Sequence, residues 1–198
     1  MSSFSDYDPA RTVEWRLPNK GRVGMLSLIA GESAIFTIFV VAYIFYLGKS
    51  VTGPRPADVL EAPIVGTMCL LSSSVTIWRA EQAIERNRME SFTAWLGVTI
   101  VLAITFLFGT AAEWKKLIYQ DGLTISTNLF GTTFYSLVGL HATHVVIGLA
   151  LLSCVLLLSL FGRLNSRHSK RFGAVALYWH FVDAVWVVVF SVVYLIGR

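Results

Sequence analysis

His141 and His144 stand three residues apart in Gly139-Leu140-His141-Ala142-Thr143-His144, and His180 and Asp183 repeat that spacing in Trp179-His180-Phe181-Val182-Asp183. A separation of three places both members of a pair on one helix face. Imidazole is a common metal ligand. A catalytic zinc or a haem needs further ligands from facing helices, and a di-iron site in a helix bundle needs several glutamates with Glu-x-x-His pairs. The apolar runs of this chain contain one glutamate, Glu32, and no Glu-x-x-His. The pattern therefore favours hydrogen bonding between helices, or contact with lipid headgroups, over ligation. Glu32 has two open readings: a neutral acid bonded to a neighbouring helix, or a proton-linked or lipid-facing site. Arg22 and Arg79 fall at the ends of apolar runs, as snorkelling anchors or as contacts to a lipid phosphate. Tyr178, Trp179, Trp186 and Tyr194 fit an aromatic belt and helix packing better than a cofactor box. There is no Gly-rich phosphate loop and no Ser–His–Asp arrangement.

The elements that carry these residues are membrane helices. Of the 198 residues, 55% are apolar and 14% charged, against about 25% charged in a soluble domain. The net charge of +4 does not indicate nucleic acid, because the basic residues lie in the gaps between apolar runs. Cys69 and Cys154 sit inside apolar runs without ligand spacing and read as small packing residues. The first 20 residues hold Asp6, Asp8, Arg11, Glu14, Arg16 and Lys20, which excludes a cleavable signal peptide at that position. The expected fold is all-α, a polytopic bundle of five transmembrane helices. A polar tail over 1–22 precedes a membrane domain over 23–198, with spans near 23–47, 62–78, 91–112, 129–161 and 172–196. Residues 49–61 read as a loop, and Glu81 to Arg88 as a helical extension of the second span into water. The second span is the shortest, and Ser72-Ser73-Ser74 makes it the most polar, which suits a packed or shielded helix. The fourth exceeds the ~20 residues a bilayer requires, so it should tilt or protrude. Eleven Lys and Arg fall on the side of the N-terminus (Arg11, Arg16, Lys20, Arg22, Arg79, Arg86, Arg88, Arg163, Arg167, Lys170, Arg171) and five on the other (Lys49, Arg55, Lys115, Lys116, Arg198). This bias predicts a cytoplasmic N-terminus and a C-terminus outside.

Several ordered motifs resemble one family, subunit III of the haem–copper respiratory oxidases. Tyr178-Trp179-His180-Phe181-Val182-Asp183 with Val185-Trp186 is similar to its last-helix signature. Gly139 to Val145 is similar to the family's Gly-Phe-His-Gly-Leu-His-Val, with Ala142 and Thr143 in place of Gly and Leu. Arg22-Val23-Gly24-Met25 with Glu32, and the loop from Asp121-Gly122 to Gly131-Thr132-Thr133-Phe134, complete the likeness from Arg22 to Ile196. Long members have seven helices; this chain resembles the short five-helix bacterial form. The resemblance implies a non-catalytic core subunit of a proton-pumping terminal oxidase in the bacterial inner membrane. Such a subunit binds no haem or copper, leaving both to its partners. It packs against subunit I, beside subunit II, and holds phospholipid in a V-shaped cleft. It keeps proton uptake steady and protects the active centre during turnover. A subunit IV or a respiratory supercomplex would be a further partner. By the same likeness Glu32 is the proton-linked carboxylate, Arg22 meets a lipid phosphate, and His141, His144, His180 and Asp183 knit the fourth and fifth spans. The alternatives are subunit III of a quinol oxidase or a homologue associated with nitric oxide reductase, a free-standing redox enzyme ligating through its histidines, and a small proton-coupled transporter.

Overall fold

A computed structural model describes residues 20–50, 53, 54 and 56–197. Most of the expected tail over 1–22, together with Arg55 and Arg198 of the charge count, lies outside the described residues. Long apolar runs can satisfy their backbone polar groups in lipid only by bonding within the segment, and the chain is helical accordingly. The long helices are α1 (Lys20–Tyr46), α2 (Ile64–Glu85), α3 (Met89–Tyr119), α4 (Leu129–Leu160) and α5 (Ser169–Phe190). The connection expected to be a loop holds one helical turn, Pro56–Val59, and a 3-10 turn at Ser166–His168 leads into α5. The last segment, Ser191–Ile196, widens into a π-helix.

Among the described residues four helices are long and apolar enough to cross a membrane: α1, α3, α4, and α5 with its flanking turns. The protein is therefore a membrane protein. The helix that falls short by composition is α2, whose inner face carries hydroxyls. Its outer face is apolar, with Ile64, Val65, Met68, Val75 and Trp78 exposed. The helical extension expected over Glu81 to Arg88 is shorter: α2 continues past the apolar run and ends at Glu85. The 31 residues of α3 and 32 of α4 would each rise more than ~45 Å, beyond the ~30 Å hydrocarbon core. Both therefore tilt or protrude, and α3 carries Glu113, Lys115 and Lys116 inside its last turns instead of ending before them.

The helices pack around an α4–α5 pair. On one side α1 meets α4 and α5; on the other α2 meets α5 and α3 meets α4. A tight turn joins α2 to α3, with Asn87 in the left-handed region (φ 56°), which asparagine tolerates better than most residues. Large aromatics fill the space between the layers: Phe106 meets Trp186 edge-on at 4.8 Å, and Phe92 meets Phe172 at 4.9 Å. Outside the membrane core, Ser50 Oγ accepts from Phe130 N at 3.0 Å and Asn128 Nδ2 donates to Pro54 O at 3.1 Å. Lys116 pairs with Glu61 across the same end at 2.6 Å.

Helices α4 and α5 approach closely at Gly148 of α4, where a Cβ would lie 2.8 Å from the Trp179 ring. The glycine stands one turn beyond His144. A Gly148→Val substitution is expected to push α4 from α5 and cost about 1–3 kcal/mol, the usual penalty of overpacking. Thermal unfolding in detergent checks this; an unchanged midpoint would show that Trp179 can yield.

Candidate functional site

Glu32, His144, His180 and Asp183 fall into two hydrogen-bonded groups on opposite sides of the α4–α5 pair. The larger is the seam between α2 and α5. Trp186 Nε1 donates to Thr67 Oγ1 at 3.1 Å, and Trp179 Nε1 donates to Ser73 Oγ at 2.8 Å. Ser73 Oγ in turn donates to Leu70 O at 2.6 Å. Between the two indoles, Ser74 Oγ donates to Asp183 Oδ2 in a short bond. With its proton so placed, Ser74 Oγ accepts from His180 Nδ1 at 3.2 Å. Positions 67, 73 and 74 meet 186, 179 and 183 because the helices run antiparallel and each covers about two turns over these residues. Asp183 is buried, and its Oδ1 has no partner among the described residues.

The smaller group joins α4 to α1. His144 Nε2 lies 3.1 Å from Glu32 Oε2, and His144 Nδ1 lies 2.8 Å from Leu140 O. A carbonyl oxygen can only accept, so Nδ1 carries a proton. Nε2 then meets Glu32 in one of two ways: its lone pair faces a carboxylic acid, or its N–H faces a carboxylate. Both forms contain the same number of protons, so the contact is a shared-proton pair. The side chains are 25% exposed at Glu32 and 9% at His144, so the carboxyl is reachable from the α1 side. Phe36 covers the His144 ring at 4.9 Å.

These placements refine what the sequence suggested. His144 bonds to α1 and Asp183 with His180 bonds to α2, so the expected link of these residues between the two histidine-bearing helices is not their polar contact. The α4–α5 interface has instead a long bond from Tyr178 OH to His144 O, at 3.4 Å, and the Gly148 approach. His141 joins neither group: it is buried against Trp186 at 5.0 Å and Phe106 at 6.1 Å, with neither ring nitrogen bonded among the described residues. No three His, Cys, Asp or Glu residues converge as a metal site among the described residues. Arg22 is exposed in the first turn of α1, whereas Arg79 is exposed within α2, which runs on to Glu85, and lies over the Trp78 ring at 5.5 Å.

The seam's hydroxyl and indole donors were not singled out as bonding partners by sequence. The available signal was the coincidence of the hydroxyl-rich Thr67 to Thr76 stretch on one helix with Trp179 and Trp186, seven residues apart, on another. A second missed pair is Tyr194 OH donating to Glu113 Oε1 at 2.8 Å, joining the π-helical end of the chain to α3. Such contacts clamp helices, and the Glu32–His144 contact differs in that its carboxyl is partly exposed.

Ser74→Ala would leave the buried Asp183 carboxyl without its donor, an expected loss of about 1–3 kcal/mol. Ser74→Thr keeps the hydroxyl and should recover most of it. Comparing the two variants in thermal unfolding is the check; equal midpoints for Ala and Thr would contradict the assignment.

The profile of the family described as Cytochrome c oxidase subunit III matches residues 18–198. Cytochrome c oxidase subunit 3 of Alkalihalophilus pseudofirmus is 34% identical over 177 residues, covering 88% of this chain and 86% of that one. The Bacillus subtilis protein of that name is 32% identical over 192 residues, covering 96% and 93%. The one from Scyliorhinus canicula is 38% identical over 185 residues, covering 87% of this chain but 68% of its own. With the profile spanning all the helices that build the seam and the proton pair, the chain belongs to the cytochrome c oxidase subunit III family.

Proposed function

We propose that the chain is the non-catalytic core subunit III of a proton-pumping haem–copper terminal oxidase that carries electrons from cytochrome c to oxygen. The observation that carries this reading is the family match over residues 18–198. The bonding pattern supports the non-catalytic part: Ser73, Ser74, Thr67, His180, Asp183, Glu32 and His144 are engaged with one another across helices. Haem and copper then belong to partner subunits I and II, and this subunit supports the one that reduces oxygen. The exposed apolar face of α1, with Ile38 and Val41 outward, offers surface to lipid and partner chains. Subunit IV or a supercomplex would be a further neighbour.

In this reading α2 is a fifth membrane-crossing helix, since its polar groups bond inward and its outer face is apolar. Five crossings put the termini on opposite sides. The Lys and Arg bias then sets the N-terminus in the cytoplasm of a bacterial cell, with the membrane domain over 23–198 in the inner membrane. Glu32, paired with His144, is the proton-linked carboxyl. Arg22 and Arg79 meet lipid headgroups, and His141, His144, His180 and Asp183 hold the bundle together. The subunit holds phospholipid in a V-shaped cleft.

Mild-detergent purification of the tagged chain from its own membranes is expected to bring down a haem-bearing subunit. The chain stripped of that partner should show no haem Soret band. A Soret band or stoichiometric metal on the isolated chain would overturn the reading. Glu32→Gln should leave assembly intact, because an amide retains shape and can still bond to His144, while altering sustained turnover. Loss of the subunit from the purified complex would count against it. His180→Leu should lower the complex's thermal midpoint by removing a partner of Ser74; no change would contradict that.

A further inference from the structure

At the end where α1 and α5 begin and α2 finishes, the three helices enclose an open cavity of about 450 Å³. Charged side chains stand around it: Arg22 of α1, Lys170 of α5, and Glu81 and Glu85 of α2. On α5 the lining runs from Ser169 to His180, roughly 16 Å along a helix axis. Gly173 keeps that wall free of a side chain where α2 comes close, since a Cβ there would lie 3.0 Å from Glu81 Oε1. The cavity therefore extends the aqueous surface down to the half-buried ring of His180.

From His180 the polar contacts continue inward. His180 Nδ1 lies 3.2 Å from Ser74 Oγ, and Ser74 donates to Asp183 Oδ2 in a short bond. Asp183 is 3% exposed, and its Oδ1 has no partner among the described residues. Three groups that can each give or take a proton thus stand in one line from a charged cavity to a buried carboxyl. The other titratable and charged groups around α5 are engaged elsewhere. Glu32 of α1 meets His144 of α4, His141 of α4 lies among aromatic rings, and Tyr194 donates to Glu113 of α3. On α2, Arg79 lies over Trp78. In the turn before α5, His168 accepts from Asn165 N and Arg167 is exposed.

We propose that His180 and Ser74 form a proton-exchange path between water in this cavity and the buried Asp183 carboxyl. With the carboxyl ionised, His180 Nδ1–H donates to Ser74 Oγ and Ser74 O–H donates to Asp183 Oδ2. A hydronium ion in the cavity gives a proton to His180 Nε2 and leaves as water. The Nδ1 proton passes to Ser74, and the Ser74 proton passes to Asp183. The imidazole is again neutral, as its other tautomer, Ser74 is again a hydroxyl, and Asp183 is an acid. Both hydrogen bonds persist with their directions reversed: Asp183 O–H donates to Ser74 Oγ, and Ser74 O–H donates to His180 Nδ1. One proton has moved from water to the carboxyl, and the reverse sequence returns it. The path sets a charge and does not pump. It lets the α2–α5 seam be charged or neutral according to the pH at that end without the helices parting.

The test uses the complex containing this chain in bilayer discs. A flash releases protons from a caged acid, and the infrared band of newly protonated carboxyl groups is followed in time. The band of Asp183 is the one that Asp183→Asn removes and Asp183→Glu shifts. It is expected to rise at the same rate in the wild type and in Ser74→Thr, which keeps the hydroxyl. Ser74→Ala and His180→Gln should slow it about a hundredfold, the lower end of what a positioned proton-transfer group contributes. Gln at 180 can still donate to Ser74 but passes no proton through its amide, so a purely structural role for His180 would leave the rate unchanged. If Ser74→Ala fails to assemble, His180→Gln reads the path by itself. An equal rate in the wild type and His180→Gln overturns the path. So does the absence of any Asp183-dependent band over the pH range in which the complex is stable.

Discussion

The α2–α5 seam is the interaction on which the bundle depends. In lipid, apolar side chains gain little by leaving their surroundings for another helix, so association rests on close packing and interhelical hydrogen bonds. Here Thr67, Ser73 and Ser74 meet Trp186, Trp179 and Asp183 along one line. Each donor or acceptor would be expensive to leave unmade in hydrocarbon. The contacts therefore set both the rotation of α2 and its height along α5. They also explain why the helix with the weakest apolar character sits with its hydroxyls inward. Its composition reflects what it bonds to.

The same accounting separates the buried polar residues by role. Asp183, His180 and Ser74 form a closed group on the α2 side, deep in the bundle. Glu32 and His144 form a pair on the α1 side, where α1 meets α4 and α5 and the carboxyl is partly exposed. A shared proton between a carboxyl and an imidazole is compatible with apolar surroundings because the pair as a whole has no net charge. His141 stands apart in an aromatic box between the groups. Thus two histidines three residues apart on one helix face different neighbours and do different work.

Belonging to an oxidase subunit family adds a setting to this architecture. A supporting subunit needs a stable interior and a surface that a partner and lipid can cover. The inward-facing hydrogen bonds of the α2–α5 seam supply the first. The broad apolar exposure of α1 and of the outer face of α2 supplies the second. At the membrane surface the charges are used differently: Arg22, Lys170, Glu81 and Glu85 line an opening instead of closing on one another.

Membrane character, the positions of the long helices and the candidate residues were legible in the sequence because hydropathy and charge placement are local properties. Leu129–Leu160 agrees closely with the expected fourth span, and the Tyr178 to Trp186 motif marks the family before any coordinate is known. Composition also picked out α2 as unusual and Glu32 as the lone in-span glutamate. What the sequence left open was every partner. A three-residue spacing places His141 and His144 on one side of a helix but does not say which helices stand there. Only the packed bundle turned His144 toward Glu32, left His141 among aromatic rings and set Ser74 against Asp183. Hydrogen bonds between helices depend on relative rotation and height, and those follow from how all the side chains fit together at once.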